Sequence, residues 1–240
     1  MYYNFNDMST FIPQGICEVK SKYFITMYDS KHKLNSKVRI YDKNFNKYKD
    51  IILDNFNHLG GITYDKKRNK LWITIGNSLC RYDVNLFKKG IVKKEINFKI
   101  KDLINYKNQN SIAYVCYNNN KIYCGNFTIF NFQKPILISY DLDKFGNIIK
   151  SSKYTQKFYN KTQGITFFKN TMLVSTSFGR YFKSKLIINN KKYSMIPNME
   201  QIVINDKNEL VILSEYNYKS FNKNSNINDI TIIKDVNSFF

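Results

Sequence analysis

Alanine is almost missing from this chain: Ala113 is the single one among 240 residues. Glycine (9), proline (3) and arginine (4) are also scarce, and 18 acidic residues face 38 Lys and Arg. Alanine is the strongest helix former, so its near absence beside abundant Ile, Tyr, Phe and Val argues against helices and for pleated strands. No apolar run approaches the roughly 20 residues a membrane-spanning helix needs. The start, MYYNFNDMST, has no basic end followed by an apolar run, so no signal peptide is read there. A cytoplasmic location is the default expectation, with export after loss of a leader as the alternative. No GxSxG, HExxH or phosphate-cradling glycine loop occurs, which removes the commonest nucleophile-elbow, zinc-protease and P-loop chemistries.

The formal net charge of +20 invites a nucleic-acid reading, because phosphate neutralisation dominates such complexes. The composition has a plainer explanation. Lysine carries nearly all the positive charge, and Lys, Asn, Ile, Tyr and Phe rise together while Ala, Gly, Pro and Arg fall. An AT-rich genome imposes that pattern whatever the protein does. The lysines are spread along the chain, as solvated guards of strand edges would be. A dedicated nucleic-acid surface is therefore not expected. Cys17, Cys80, Cys116 and Cys124 each fall in an apolar run, so reduced core thiols are expected. Cys116 and Cys124 flank one turn, but their cross-strand register is not fixed by sequence. Two histidines without neighbouring cysteines make no zinc site.

What is present is a repeat. FIPQGICEV returns as NHLGGITYD, NQNSIAYVC, NKTQGITFF and PNMEQIVIN, with anchors at Gly15, Gly61, Ser111, Gly164 and Gln201. After each anchor come a turn and a second apolar run (KYFITMYDS, KLWITIGNS, KIYCGNFTI, TMLVSTSFG, ELVILSEYN), then a third and a less regular fourth. Four strands and their turns take about 40–50 residues, the period of a propeller blade. The expectation is an all-β, five-bladed β-propeller of four-stranded antiparallel blades, one domain over residues 1–240. The last unit lacks an obvious fourth strand, which Tyr2–Phe5 could supply. The best helix candidate, Lys101–Tyr106, is short and lies in a connection.

Propeller geometry says where to look for a site. Strands within a blade run antiparallel, so the connection into the first strand and the second-to-third connection share one face. The first set holds Gln14, His58, Asn110, Gln163 and Glu200, and the second adds Asp29, His32, Asn126, Ser177, Arg180 and Glu215. Convergent polar groups are the usual form of a ligand site, although single amides at a channel mouth often only satisfy backbone groups. Asp29, Glu200 and Glu215 add carboxylates that, drawn together away from water, share a cation or raise one another's pKa. Arg180 is the natural fork for an anion. Blades one and four are the most alike, through Gln14-Gly15-Ile16 and Gln163-Gly164-Ile165, and recognition is expected on their side of the rim. Asp141-Leu142-Asp143 starts like a calcium loop, but the matching Asp42 and Asp83 favour plain turn caps. Trp72 is assigned to blade core. Asn126-Phe127-Thr128 has the form of a glycosylation acceptor, common by chance in an Asn-rich chain.

The segment TQGITFFKNTMLVSTSFGRYFKSKL resembles a blade of glutamine cyclotransferase, a five-bladed propeller enzyme that closes N-terminal glutamine into a ring. The resemblance covers about 25 residues. That family carries a catalytic glutamate just ahead of the Ser-Thr pair, where this sequence has Val174, and its pocket is rich in indoles, where this chain has one tryptophan. A wider resemblance to lactonase-like propellers implies calcium as the one candidate cofactor, with Glu200 and Asn110 loosely in place. Two functions stay open: a monomeric binding module for a small polar or anionic ligand or a protein partner, and a hydrolase or transferase using Glu200, Glu215 or Asp29 as acid or base.

Overall fold

The computed structural model describes residues 1–3, 10–54, 58–179, 182–215 and 229–240. Its strands form five separate four-stranded antiparallel sheets arranged as a five-bladed β-propeller. β1 (Tyr2–Tyr3) opens the chain. Blade 1 is β2 (Phe11–Val19), β3 (Lys22–Asp29), β4 (Lys37–Tyr41) and β5 (Lys47–Ile52). Blade 2 is β6 (Leu59–Asp65), β7 (Lys70–Ile75), β8 (Ser78–Asp83) and β9 (Lys94–Lys99). Blade 3 is β10 (Tyr114–Asn118), β11 (Lys121–Gly125), β12 (Ile136–Asp141) and β13 (Tyr154–Lys157). Blade 4 is β14 (Thr162–Phe168), β15 (Thr171–Thr176), β16 (Ser184–Ile188) and β17 (Lys191–Met195). Blade 5 is β18 (Met199–Ile204), β19 (Leu210–Ser214) and β20 (Ile230–Ile233), completed by β1.

Burial follows position in the blade. The inner strand β2 is buried along nearly its whole length, whereas the outer strand β9 shows only alternating partial burial. The reason is that inner strands are covered by sheets on both faces and outer strands by one at most. Five apolar clusters fill the five gaps between neighbouring blades. Trp72 is fully buried in the gap between blades 2 and 3. All four cysteines are free and buried. Cys116 pairs with Tyr123 and Cys124 with Val115, so the two thiols sit on opposite faces of blade 3 and join different clusters.

The axis is made by the repeat anchors. The inner strands β2, β6, β10, β14 and β18 touch one another in a closed ring. Gln201 lies buried inside it: its Oε1 accepts from Ile62 N at 3.0 Å, and its Nε2 donates to Ile62 O at 2.7 Å and to Val115 O at 3.4 Å. Glycine is required where the ring is tightest. A Cβ on Gly164 would lie 2.7 Å from Gln201 Cα, and one on Gly15 would lie 2.8 Å from Ile62 N, distances real side chains do not occupy. Blade 3 departs from the pattern. Its strand starts at Tyr114, which opposes Gly125 just as Gly164 opposes Ser175. Ser111 therefore sits three residues ahead of the axial position, in the connection from blade 2.

That connection also holds the one helix candidate. Instead of a helix, Lys101–Tyr106 belongs to a loop closed by a bridge between Ile104 and Asn110. The short α1 (Val84–Lys88) forms elsewhere, where the Asp83 carboxylate accepts from Asn85 N and Leu86 N. Asp42 and Asp143 cap their turns in the same way. Ring closure takes the expected form over Tyr2–Tyr3, which pair with Thr231 and Ile230. Ile232 N donates to Met1 O at 2.8 Å, and the Met1 ammonium donates to Ile232 O at 3.1 Å. Phe5 lies outside the described residues.

Deleting residues 1–3 is expected to lower the melting temperature by about 4–8 °C, equivalent to about 2 kcal/mol for a chain of this size. An unchanged thermal transition would show that the clasp contributes nothing. Gln201→Ala is expected to cost about 2–3 kcal/mol in urea unfolding, because it leaves Ile62 N–H buried without a partner beside a new void.

Candidate functional site

The residues before the axial anchors of blades 1, 3, 4 and 5 line the channel mouth: Gln14, Ala113, Gln163 and Glu200. Above them opens a cavity of about 600 Å³. Gln14, His32, His58, Asn110, Gln163, Glu200 and Glu215 all line it, so seven side chains singled out from sequence meet in one place and every blade supplies at least one. Tyr28, Tyr106 and Phe127 supply aromatic wall, and Lys107 also lines it. The volume lies within the range typical of small-ligand sites.

Glu200 is the most perturbed group there. It is 4% exposed, and Gln163 Nε2 donates to its Oε1 at 3.3 Å. Burial pushes its carboxyl pKa well above the ordinary value, and the charge of Glu215 pushes it further. Desolvation penalises the charged form, and a like charge nearby penalises it again. Glu200 therefore keeps its proton to higher pH than an ordinary glutamate does, and in that protonated form it donates a hydrogen bond. Glu215 is half-buried and fixed through its backbone, with its N–H donating to Asn198 O at 3.0 Å and its carbonyl accepting from Asn198 Nδ2 at 3.2 Å.

A pair of rings forms the neighbouring wall. The His58 ring sits 4.3 Å from that of Tyr28, which also stacks on His32 at 5.9 Å. Crowding lowers the His58 pKa, and the positive potentials of His32 and Lys107 lower it further. Water in the cavity still reaches the ring, so part of this effect is screened. The direction leaves a neutral imidazole, one donor and one acceptor, at physiological pH. Burial raises the Tyr28 pKa, with Glu215 and Glu200 adding to the rise, so its hydroxyl stays protonated.

The remaining sequence candidates lie elsewhere. Asp29 is buried, but it organises its own loop: its carboxylate accepts from Thr10 Oγ1 and from the N–H groups of Lys31, Lys33 and Leu34. Burial alone would raise its pKa, yet these bonds outweigh burial and lower it to about 2. Asn126 is buried too. Its Nδ2 donates to Ile104 O at 2.6 Å and Lys134 O at 3.3 Å, and its Oδ1 accepts from Ile136 N at 2.9 Å. An amide so engaged staples two loops together and is not presented as a glycan acceptor. Ser177 bonds Ser184 across blade 4 at 3.0 Å and lines a different cavity. Arg180 lies outside the described residues.

Sequence reasoning missed Tyr28, Tyr106 and Phe127. Position was the available signal. Tyr28 is the next-to-last residue of a second strand, and Phe127 follows the second strand of blade 3, both on the mouth face. Tyr106 gave no such sign, because it reaches the mouth through an irregular loop pinned by Tyr106 N donating to Phe127 O at 3.1 Å and Ile112 N donating to Gly76 O at 2.8 Å.

The Glu200 shift has a measurable sign. Its folded pKa is raised, so the native state binds the extra proton between the unfolded and folded pKa values, and stability falls as pH rises through that window. Wild type is therefore expected to lose ground to Glu200→Gln by up to about 1.4 kcal/mol per pH unit above the ordinary glutamate range. Denaturant unfolding at a series of pH values checks this, and a stability difference flat from pH 5 to 8 would contradict it.

No family model and no curated protein sequence matches this chain. Among solved structures it resembles a chain of a nidogen/laminin complex, with TM-score 0.54 and 10% identity over 86% of this chain and 73% of that one. It also resembles a chain of Kuenenia stuttgartiensis hydrazine synthase, with TM-score 0.50 and 8% identity over 99% of this chain. It spans 66% of the length of that chain. At such identities the likeness establishes the propeller fold and nothing about chemistry.

Proposed function

We propose that this chain is a binding module whose channel-mouth cavity takes a small, polar, uncharged ligand rich in hydroxyl or amide groups. The observation that carries the reading is the convergence of side chains from all five blades, Gln14, His58, Asn110, Gln163, Glu200 and Glu215, on one cavity of about 600 Å³. Amides both donate and accept, a protonated Glu200 donates, and neutral His58 does either. Such a set discriminates by hydrogen-bond pattern, since a ligand lacking one group leaves a buried polar atom unpaired. Tyr28, Tyr106 and Phe127 offer flat apolar surface to the rest of the ligand. An anionic ligand would meet Glu215, which makes the uncharged class the better match.

A second reading, an enzyme of the same fold, is favoured by the Glu200–Glu215 pair. A carboxyl that keeps its proton beside one in a different environment is the arrangement of a general acid with a base. Asp29, held by four hydrogen bonds, has no part in it. The cyclotransferase resemblance supplies no catalytic group, because Val174 packs with Ile165 and Ile187 between blades 3 and 4. Calcium is left out of both readings. That ion takes six to eight oxygen ligands, and among the described residues no group of three or more His, Cys, Asp or Glu is arranged to hold a metal.

Thermal shift against neutral sugars, amino-acid amides and their carboxylate counterparts tests the proposal. A true ligand at about 100 times its Kd is expected to add about 2.7 kcal/mol. Glu200→Gln and Gln163→Ala are each expected to weaken binding at least about tenfold, the size of one lost buried hydrogen bond. Equal affinity in both variants would move the site elsewhere. Turnover of a bound compound by wild type, lost in Glu200→Gln while binding persists, would select the enzyme.

A further inference from the structure

A second cavity, of about 680 Å³, lies between blades 3 and 4 and shares no lining residue with the channel mouth. Lys161, Lys183, Lys185 and Lys192 line it, and no carboxylate does. Its remaining wall includes Phe158, Tyr159, Phe178 and Phe182, with Ile187 beneath. The sequence around it is equally one-sided. From Lys144 to Met199 there is no Asp or Glu, against ten lysines and one arginine.

Other blades treat comparable cations differently. In blade 1 the β4 cations Lys37 and Arg39 bond Asp50 on β5, and in blade 2 Lys70 and Arg81 bond Glu95 on β9. In blade 3, Lys121 bonds Asp141. Among the described residues none of the four cavity lysines is paired with a carboxylate. Guarding strand edges is the ordinary duty of lysines on blades, and Lys192 on β17 fits it. Lys185 does not, because it sits on β16, bonded on both sides between Thr176 and Ser194. Neither do Lys161 and Lys183, which precede β14 and β16.

The cavity is built on fixed backbone. Lys161 is held between blades, its N–H donating to Thr128 O at 2.7 Å and its carbonyl accepting from Ser177 N at 2.9 Å. Lys192 opposes Ile187, and Lys185 is two residues from Ile187 on the same strand, so both lysines project from one face of blade 4 with Ile187 between them. The Lys161 ammonium lies 4.8 Å from the Phe178 ring centre. Phe178 and Phe182 remain 38% and 66% exposed. Exposed aromatic rings beside lysines that have no carboxylate partner are the two elements that a ligand carrying a ring and an anion engages.

We propose that this cavity is a binding site for a phosphate-bearing ligand with a planar ring, of mononucleotide size. Ammonium groups neutralise the phosphate as point charges. The phenylalanines offer the ring apolar stacking surface, worth about 1–3 kcal/mol per base in comparable settings. The volume suits one nucleotide unit, whether free or at the end of a single strand.

Titration calorimetry with AMP, adenosine and inorganic phosphate tests this, with anisotropy of a labelled ten-nucleotide oligo-dT as a further arm. AMP is expected to bind at least about tenfold more tightly than adenosine or phosphate, because only AMP engages both halves of the site. The double variant Lys185→Glu/Lys192→Glu is expected to lose at least tenfold and Phe182→Ala several-fold. Lys43→Glu/Lys67→Glu, the same charge change on exposed lysines of blades 1 and 2, should change affinity less than twofold. All substituted side chains face solvent, and matching melting temperatures confirm that each variant is folded. AMP binding without oligonucleotide binding assigns the free nucleotide. Oligonucleotide binding that AMP displaces assigns a strand end. Equal losses in the two double variants would reduce the effect to net charge and overturn the site, as would AMP binding no tighter than phosphate.

Discussion

The structure depends on how closely five inner strands approach one axis. Four-stranded blades pack face to face only if their first strands converge, and convergence leaves no room for side chains at the point of closest approach. Gly15, Gly61 and Gly164 meet that constraint by having none, and Gln201 meets it by filling the space that remains. Its amide both donates and accepts, so a single side chain satisfies the backbone of two facing blades. The inner ring is tied further by Thr26 Oγ1 donating to Gly60 O at 2.8 Å and Ser175 Oγ donating to Glu200 O at 2.7 Å. Ring closure by β1 then follows, since a radial array with one open blade would leave an exposed edge.

The same convergence creates the candidate site. In blades 1, 4 and 5 the residue one step before the axis lines the mouth, so the polar side chains Gln14, Gln163 and Glu200 gather there without any local signal in their own blade. It also accounts for the state of Glu200. Its backbone is locked to Ser175 and its side chain is buried beside Glu215, so the charged form of the carboxyl is penalised. Asp29 shows the contrast. It is equally buried, yet it faces a turn whose N–H groups converge on it, and it stays ionised. Burial alone does not set the charge of a carboxyl; the donors around it do.

Charge is distributed unevenly over the molecule. Blades 1 and 2 place acids against their outer cations, whereas blade 4 has none to place. The net positive charge that looks like uniform genomic bias in composition is therefore locally concentrated. Its concentration beside solvent-facing phenylalanines makes the gap between blades 3 and 4 chemically distinct from the mouth, which is lined by amides and the two carboxyl groups of Glu200 and Glu215.

Sequence by itself determined the blade count, the strand content, the clasp and the position at the mouth of seven polar residues, because those rest on periodicity and on the antiparallel rule, which are local. It placed blade 3 three residues early, because an irregular connection carries no period to count. It grouped Asp29 and Asn126 with the mouth, since sequence shows that a polar residue stands in a loop but not whether backbone groups already occupy it. Only the tertiary structure decided that Tyr28 and Tyr106 are wall instead of core, that Glu200 and Glu215 share one cavity while Asp29 does not, and that four lysines of blades 3 and 4 border one hollow. Each of those facts depends on distances between blades, and no residue's immediate neighbours in the chain set them.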